Sequence, residues 1–91
     1  VRGNHAHHKC KQFLVPIYGS MMIEYENFKI KKKININYKR KEGFLLKPKT
    51  WCKIKFNSNH SILMVFCDRE YEFKDYIEKY KDFLKIIKKN K

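Results

Sequence analysis

The feature that most constrains this fold is the rhythm of residues 12–66, where short apolar or alternating runs are each closed within a few positions by turn residues. Gln12 to Tyr18 is rich in strand formers and ends at Gly19-Ser20, with Pro16 suited to an edge or a bulge. Met21 to Phe28 sets Glu24 and Glu26 against Ile23 and Tyr25, and Lys29 to Tyr38 sets Asn35 and Asn37 against Ile34, Ile36 and Tyr38. The Lys31-Lys32-Lys33 run suits a solvated edge, where lysines blunt strand-to-strand aggregation. After the turn at Gly43 come Phe44-Leu45-Leu46, a break at Pro48, and a strand from Trp51 to Phe56. That strand alternates Trp51, Lys53 and Lys55 against Cys52, Ile54 and Phe56. Asn57-Ser58-Asn59 turns the chain into Ser61 to Phe66, a continuous apolar run with the pattern of a strand covered on both faces. Short strands in this succession predict an all-β sandwich or barrel.

The period changes after Tyr71. Tyr76, Ile77, Tyr80, Phe83, Leu84 and Ile87 recur at helical spacing, which predicts an amphipathic helix from about Lys74 onward. Acidic Glu70, Glu72 and Asp75 near its start and Lys85, Lys88 and Lys89 near its end suit the helix dipole. The expected division is a barrel over 1–71 and a C-terminal helix over 72–91, packed on the sheet through its aromatic stripe rather than laid on a membrane.

A chain of 91 residues makes one small domain, which buries roughly 60–65% of the surface its unfolded form exposes, so association of subunits would add stability. Cys10, Cys52 and Cys67 form no close-spaced pair, and an odd count fits a reducing compartment better than a disulfide framework. No apolar run approaches membrane-spanning length and no signal-peptide pattern opens the chain, so the expectation is a soluble cytoplasmic protein without a membrane partner. The net charge of +13 raises nucleic-acid binding, but the basic residues are overwhelmingly lysine. Arg2, Arg40 and Arg69 are the only arginines, whereas base readout and phosphate clamps favour Arg. We therefore expect no nucleic-acid partner, and a field that favours small anionic substrates.

The chemistry concentrates at the start, in Val1-Arg2-Gly3-Asn4-His5-Ala6-His7-His8-Lys9-Cys10-Lys11-Gln12. If this stretch is extended, strand alternation places His5 and His7 on one face and Ala6 on the other. Imidazoles titrate near neutral pH, so the pair suits either a metal site or proton transfer. His8 would point away from His7, and His60, beside a turn, reads as a surface residue.

His5-x-His7, then Gln12 and Gly19, resembles the first motif of the cupin superfamily, which are small β-barrels. Gly43, Pro48 and Asn57 sit where the second motif would place them, but Lys53 stands in the position of its histidine. A narrower resemblance covers nearly the whole chain. Arg2-Gly3-x-His5-Ala6-His7-x-Lys9-x-x-Gln12-Phe13-Leu14, Tyr18-Gly19-Ser20, Gly43 to Trp51, and Tyr71-x-x-x-Asp75-Tyr76-Ile77-x-x-Tyr80-x-x-Phe83-Leu84 are similar to the dTDP-sugar 3,4-ketoisomerases of the WxcM-like sugar isomerases.

That resemblance implies a cupin or jelly-roll β-barrel, N-terminally truncated, with one C-terminal helix, working as a homodimer without metal or cofactor. The implied reaction moves the carbonyl of dTDP-4-keto-6-deoxyglucose from carbon 4 to carbon 3, on the route to deoxysugars of surface glycans such as lipopolysaccharide. His7 resembles the family's base, and His5 would orient it, relay a proton or steady the oxyanion. Arg2 suits the enediolate or the diphosphate, and its alternation out of phase with the histidines calls for a bulge, which Gly3 could form. Gln12, Trp51 and Lys53 are the expected substrate-binding residues, Trp51 offering a flat apolar surface. Two other readings remain open at this point: a noncatalytic sugar-nucleotide or small-molecule binding cupin, and a metal-dependent cupin enzyme.

Overall fold

The computed structural model describes residues 2–89, with side chains described from 4 to 88. Eight strands precede one helix: β1 (Arg2–His7), β2 (Gln12–Tyr18), β3 (Ser20–Glu26), β4 (Lys31–Asn37), β5 (Phe44–Leu46), β6 (Trp51–Phe56), β7 (Ile62–Cys67), β8 (Tyr76–Ile77) and α1 (Tyr80–Lys89). A five-stranded sheet, ordered β4-β3-β6-β1-β8, faces a three-stranded sheet, ordered β5-β2-β7.

Alternation decides what lies between the sheets. Met21, Ile23, Ile36, Cys52 and Ile54 of the large sheet pack on Leu14 and Leu46 of the small one. Each such apolar side chain stabilises the fold by about 1.5–3 kcal/mol when fully buried. The opposite face of the large sheet is covered by the helix: Ala6, Trp51 and Ile77 meet Phe83 and Ile87, and Phe83 has no exposed surface. β1 is therefore covered on both sides, with Ala6 toward the helix and the histidines toward the sandwich interior.

Local chemistry sets the edges. β4, with its three lysines, is an edge strand as expected, and Lys33 Nζ reaches Glu24 Oε1 at 3.7 Å. Pro16 lies in the middle strand of the small sheet, but β5 pairs only with Gln12 to Leu14, and the β7 register slips between Pro16 and Tyr18. The imide is thus accommodated where the ladder is already broken. Gly19 turns β2 into β3 at φ +75°, and a Cβ there would come within 2.4 Å of Ser61 Oγ.

Two expectations are corrected. The helix begins at Tyr80, not near Lys74; Phe73–Asp75 forms one 3-10 turn and Tyr76–Ile77 is a strand. Tyr76 pairs with His7 and Ile77 with Ala6, so two residues that matched the helical period are claimed by the open edge of β1. The sheet consequently extends past residue 71. The apolar run of β7 is also not covered on both faces: Ile62, Met64, Val65 and Phe66 are 43–55% exposed. β7 is the edge of a sheet with only three strands, too narrow to face all five opposite.

Candidate functional site

β1 carries the histidine pair, and its geometry follows from its neighbours. His5 pairs with Cys52 of β6, while the register shifts between Arg2 and His5, the span that includes Gly3. Arg2 is placed opposite Ile54, and its side chain lies outside the described residues. The rings of His5 and His7 meet edge to face with centroids 4.9 Å apart. Tyr76 closes the group, its ring 5.1 Å from His5 and 4.4 Å from His7.

His5 lines a cavity of about 460 Å³ between the sheets, shared with Gln12, Leu14, Cys52 and Ile54. This volume is ordinary for a small-molecule site. His7 lies deeper, 5% exposed, and lines a smaller neighbouring hollow of about 140 Å³. Burial first, and then the neighbouring His7 imidazole, push the His5 pKa below its ordinary 6.5, so His5 is neutral at neutral pH.

Asp75 holds His7 in place. Its Oδ2 lies 3.1 Å from His7 Nδ1, and the carboxylate also accepts the backbone N–H groups of Lys9 at 2.8 Å and Cys10 at 3.1 Å. Burial alone would raise the Asp75 carboxyl, but those two N–H groups and His7 outweigh it and hold the pKa below the usual carboxylate range. An ionised carboxylate can only accept, so Nδ1 carries a proton, and the neutral form of the ring has its free lone pair on Nε2. Nε2 is buried and has no hydrogen-bond partner among the described residues. An imidazole fixed by an acid on one nitrogen and unpaired on the other has the geometry of a general base.

Asp75 and Tyr76 are residues of the site that sequence reasoning missed. Both stood in the closing motif, but Asp75 was read as an acidic charge at a helix start and Tyr76 as part of the apolar stripe. Cys10, also unassigned, joins them: ligand atoms of His7, Cys10 and Asp75 lie within 4.8 Å of one another, and all three residues are buried. Burial and the nearby Cys67 push the Cys10 thiol up to about 11.

Of the expected substrate-binding residues, Gln12 reaches the histidine cavity, where its amide N–H donates to Cys67 Sγ at 3.6 Å. Trp51 and Lys53 do not. They share the outer face of β6, where they line a groove of about 570 Å³ with Glu24, Glu26 and Tyr80 that contains no histidine. Trp51 is 8% exposed, packs under the helix and donates from Nε1 to Asn4 Oδ1 at 3.1 Å. It is a core residue, because strand alternation sets it opposite Cys52, the residue paired with His5. His8 follows the end of β1 and lines a different hollow, and His60 is exposed in a turn; neither joins the pair.

A protein-family model described as "FdtA: WxcM-like, C-terminal" matches residues 1–88. The chain belongs to this family. It is 32% identical over 88 residues to the TDP-4-oxo-6-deoxy-alpha-D-glucose-3,4-oxoisomerase of Aneurinibacillus thermoaerophilus, covering 97% of this chain and 63% of that protein. QdtA, a sugar 3,4-ketoisomerase from Thermoanaerobacterium thermosaccharolyticum solved in complex with TDP, superposes with a TM-score of 0.90 at 28% identity. That match covers 98% of this chain and 64% of QdtA, so the cupin fold and its C-terminal helix are shared. A histidine-to-asparagine variant of QdtA was solved with TDP-4-keto-6-deoxyglucose, and matches at TM-score 0.89 and 27% identity over 97% of this chain and 63% of that one. WlaRA, a TDP-fucose-3,4-ketoisomerase from Campylobacter jejuni, matches with TM-score 0.85 and 31% identity over 94% of this chain and 63% of its own. The chain thus spans somewhat less than two thirds of these relatives' length.

Proposed function

We propose that this chain carries the proton-transfer centre of a TDP-sugar 3,4-ketoisomerase acting on TDP-4-keto-6-deoxyglucose. The observation that carries the reading is Nε2 of His7, buried and without a partner among the described residues, on a ring whose other nitrogen is held by Asp75. The family's relatives supply the substrate class.

The chemistry needs little more than this pair. The carbonyl at carbon 4 acidifies the hydrogen at carbon 3, and His7 Nε2 removes it as a proton. The electron pair of that C–H bond forms the carbon 3–carbon 4 double bond, and the former carbonyl oxygen gains a proton to give an enediol. Loss of the proton from the carbon 3 hydroxyl, with protonation of carbon 4, restores a carbonyl at carbon 3. His7 enters neutral, becomes the imidazolium stabilised by Asp75, and returns to neutral. His5, neutral and facing the larger cavity, relays the proton or donates to the developing oxyanion. Arg2 supplies a permanent cation for the enediolate or the diphosphate, and Gln12 a neutral amide beside the sugar. The residues used are this chain's own, and no metal or cofactor is part of the proposal. The working form is a cytoplasmic homodimer that covers the open apolar face of β2 and β7.

The test is incubation of the chain with TDP-4-keto-6-deoxyglucose and chromatographic separation of the keto isomers. A 3-keto product that disappears in His7→Asn supports the reading. Binding of the nucleotide sugar without product supports the noncatalytic reading instead. That alternative draws on the exposure of Ile62 and Val65, which leaves the cavity open on the β7 side.

A further inference from the structure

The hollow beside His7 contains more ligating chemistry than proton transfer uses. His7, Cys10, Cys67 and Asp75 all line it, around a volume of about 140 Å³. The ligand atoms of His7, Cys10 and Asp75 already lie within 4.8 Å of one another. In a tetrahedral zinc site neighbouring ligand atoms are about 3.3–3.8 Å apart, so drawing these three together needs a movement of about 1 Å. Cys67 brings the second sulfur: its thiol lies beside that of Cys10 and is exposed, which gives a cation a way in. The contacts of the thiols are long: Cys10 Sγ donates to Lys11 O at 3.4 Å, Cys67 Sγ accepts from Gln12 Nε2 at 3.6 Å, and the two thiols neighbour each other. The carboxylate is pre-oriented by the Lys9 and Cys10 N–H groups, as ligating carboxylates usually are.

We propose that His7, Cys10, Cys67 and Asp75 form an inhibitory site for a thiophilic divalent cation, with Zn²⁺ as its natural occupant. Two sulfurs, one imidazole and one carboxylate are a borderline-soft tetrahedral set, which disfavours Mg²⁺ and Ca²⁺ because they want all-oxygen coordination. The cation takes the Nδ1 lone pair of His7 and separates that nitrogen from Asp75. The ring proton must then sit on Nε2, so the imidazole can no longer accept a proton there. Cation binding stands on the four side chains alone; its inhibitory effect rests on His7 being the base.

Co²⁺ is the probe, because thiolate ligation gives a near-ultraviolet charge-transfer band and tetrahedral geometry gives intense visible bands. The full chain, held reduced with a non-thiol reductant, is titrated with Co²⁺ and then back-titrated with Zn²⁺. The expected result is saturation at one equivalent, both band types, and their loss as Zn²⁺ displaces Co²⁺. Cys10→Ala and Cys67→Ala each lose charge-transfer intensity and weaken binding by at least about tenfold, the minimum expected when ligand shells are disturbed. Each loses sensitivity to Zn²⁺ relative to its own metal-free activity, whereas Cys52→Ala, which lies outside the four ligands, keeps the Co²⁺ spectrum of the parent. Circular dichroism of the metal-free variants checks folding, and Cys10→Ser replaces Cys10→Ala if the latter is unfolded. Absence of a charge-transfer band at stoichiometric Co²⁺, its undiminished intensity in the Cys10 and Cys67 variants, or its loss in Cys52→Ala alone overturns the site. A chain that binds Co²⁺ as described but exchanges no substrate proton retains the cation site and refutes the base instead.

Discussion

His7 and Asp75, 68 positions apart in the chain, meet in the interior with Nδ1 and Oδ2 3.1 Å apart. The contact ties the end of β1 to the turn before β8, and it fixes the tautomer of the ring on which the proposed chemistry depends.

Asp75→Asn removes the charge and lets the amide donate to Nδ1, which turns the Nε2 lone pair into an N–H. We expect kcat to fall by about 10²–10⁴-fold, the usual worth of a positioned acid or base, with a smaller change in KM. Steady-state kinetics check this, with urea unfolding run alongside. The single amide oxygen cannot satisfy all three donors now on Asp75, so a loss of about 1–3 kcal/mol in stability is expected too.

Acid weakens the protein in two windows. His5 has a folded pKa below its ordinary 6.5, so the unfolded chain binds the extra proton first. Stability is lost as pH falls from 6.5 toward the lowered folded value. Asp75, also depressed from 3.8, contributes stability above that value, which is lost as pH falls through its folded pKa. Thermal midpoints measured against pH should therefore decline in both windows, and His5→Asn should flatten the upper one. The kcat profile should also fall on the acid side below 6.5, since only neutral His5 serves the proposed step.

Trp51→Phe tests the placement of that residue in the core. Its indole lies under the helix and donates to Asn4, so the variant should lose about 1 kcal/mol with the hydrogen bond and keep substrate affinity. A large rise in KM with unchanged stability would return Trp51 to the substrate.

The outer face of the small sheet presents Phe13, Ile17, Leu45, Met64 and Phe66, each 43–54% exposed, and Phe13 pairs with Phe66 across β2 and β7. A contiguous apolar face on an edge strand calls for a cover. In sedimentation the chain should behave as a dimer and Phe66→Lys as a monomer. A monomeric parent removes the homodimer from the proposal.

Much of this architecture was legible because strand alternation is local. The opposition of Glu24 and Glu26 to Ile23, the shared face of His5 and His7, the lysine edge and the slip near Gly3 all follow from neighbouring residues. The same alternation put Trp51 and Lys53 opposite Cys52, yet which face of β6 would look into the cavity depends on where the distant helix docks. Tyr76 and Ile77 fit a helical period equally well, and only the unpaired edge of β1 decides for a strand. The Asp75 contact left no periodic trace at all, since it joins the two ends of the fold.

Proton NMR of TDP-4-keto-6-deoxyglucose in deuterated water with the chain tests the central claim most directly. The account predicts loss of the carbon 3 proton signal with growth of the 3-keto isomer, and neither in His7→Asn of intact fold. Undiminished exchange at carbon 3 in that variant would contradict His7 as the base.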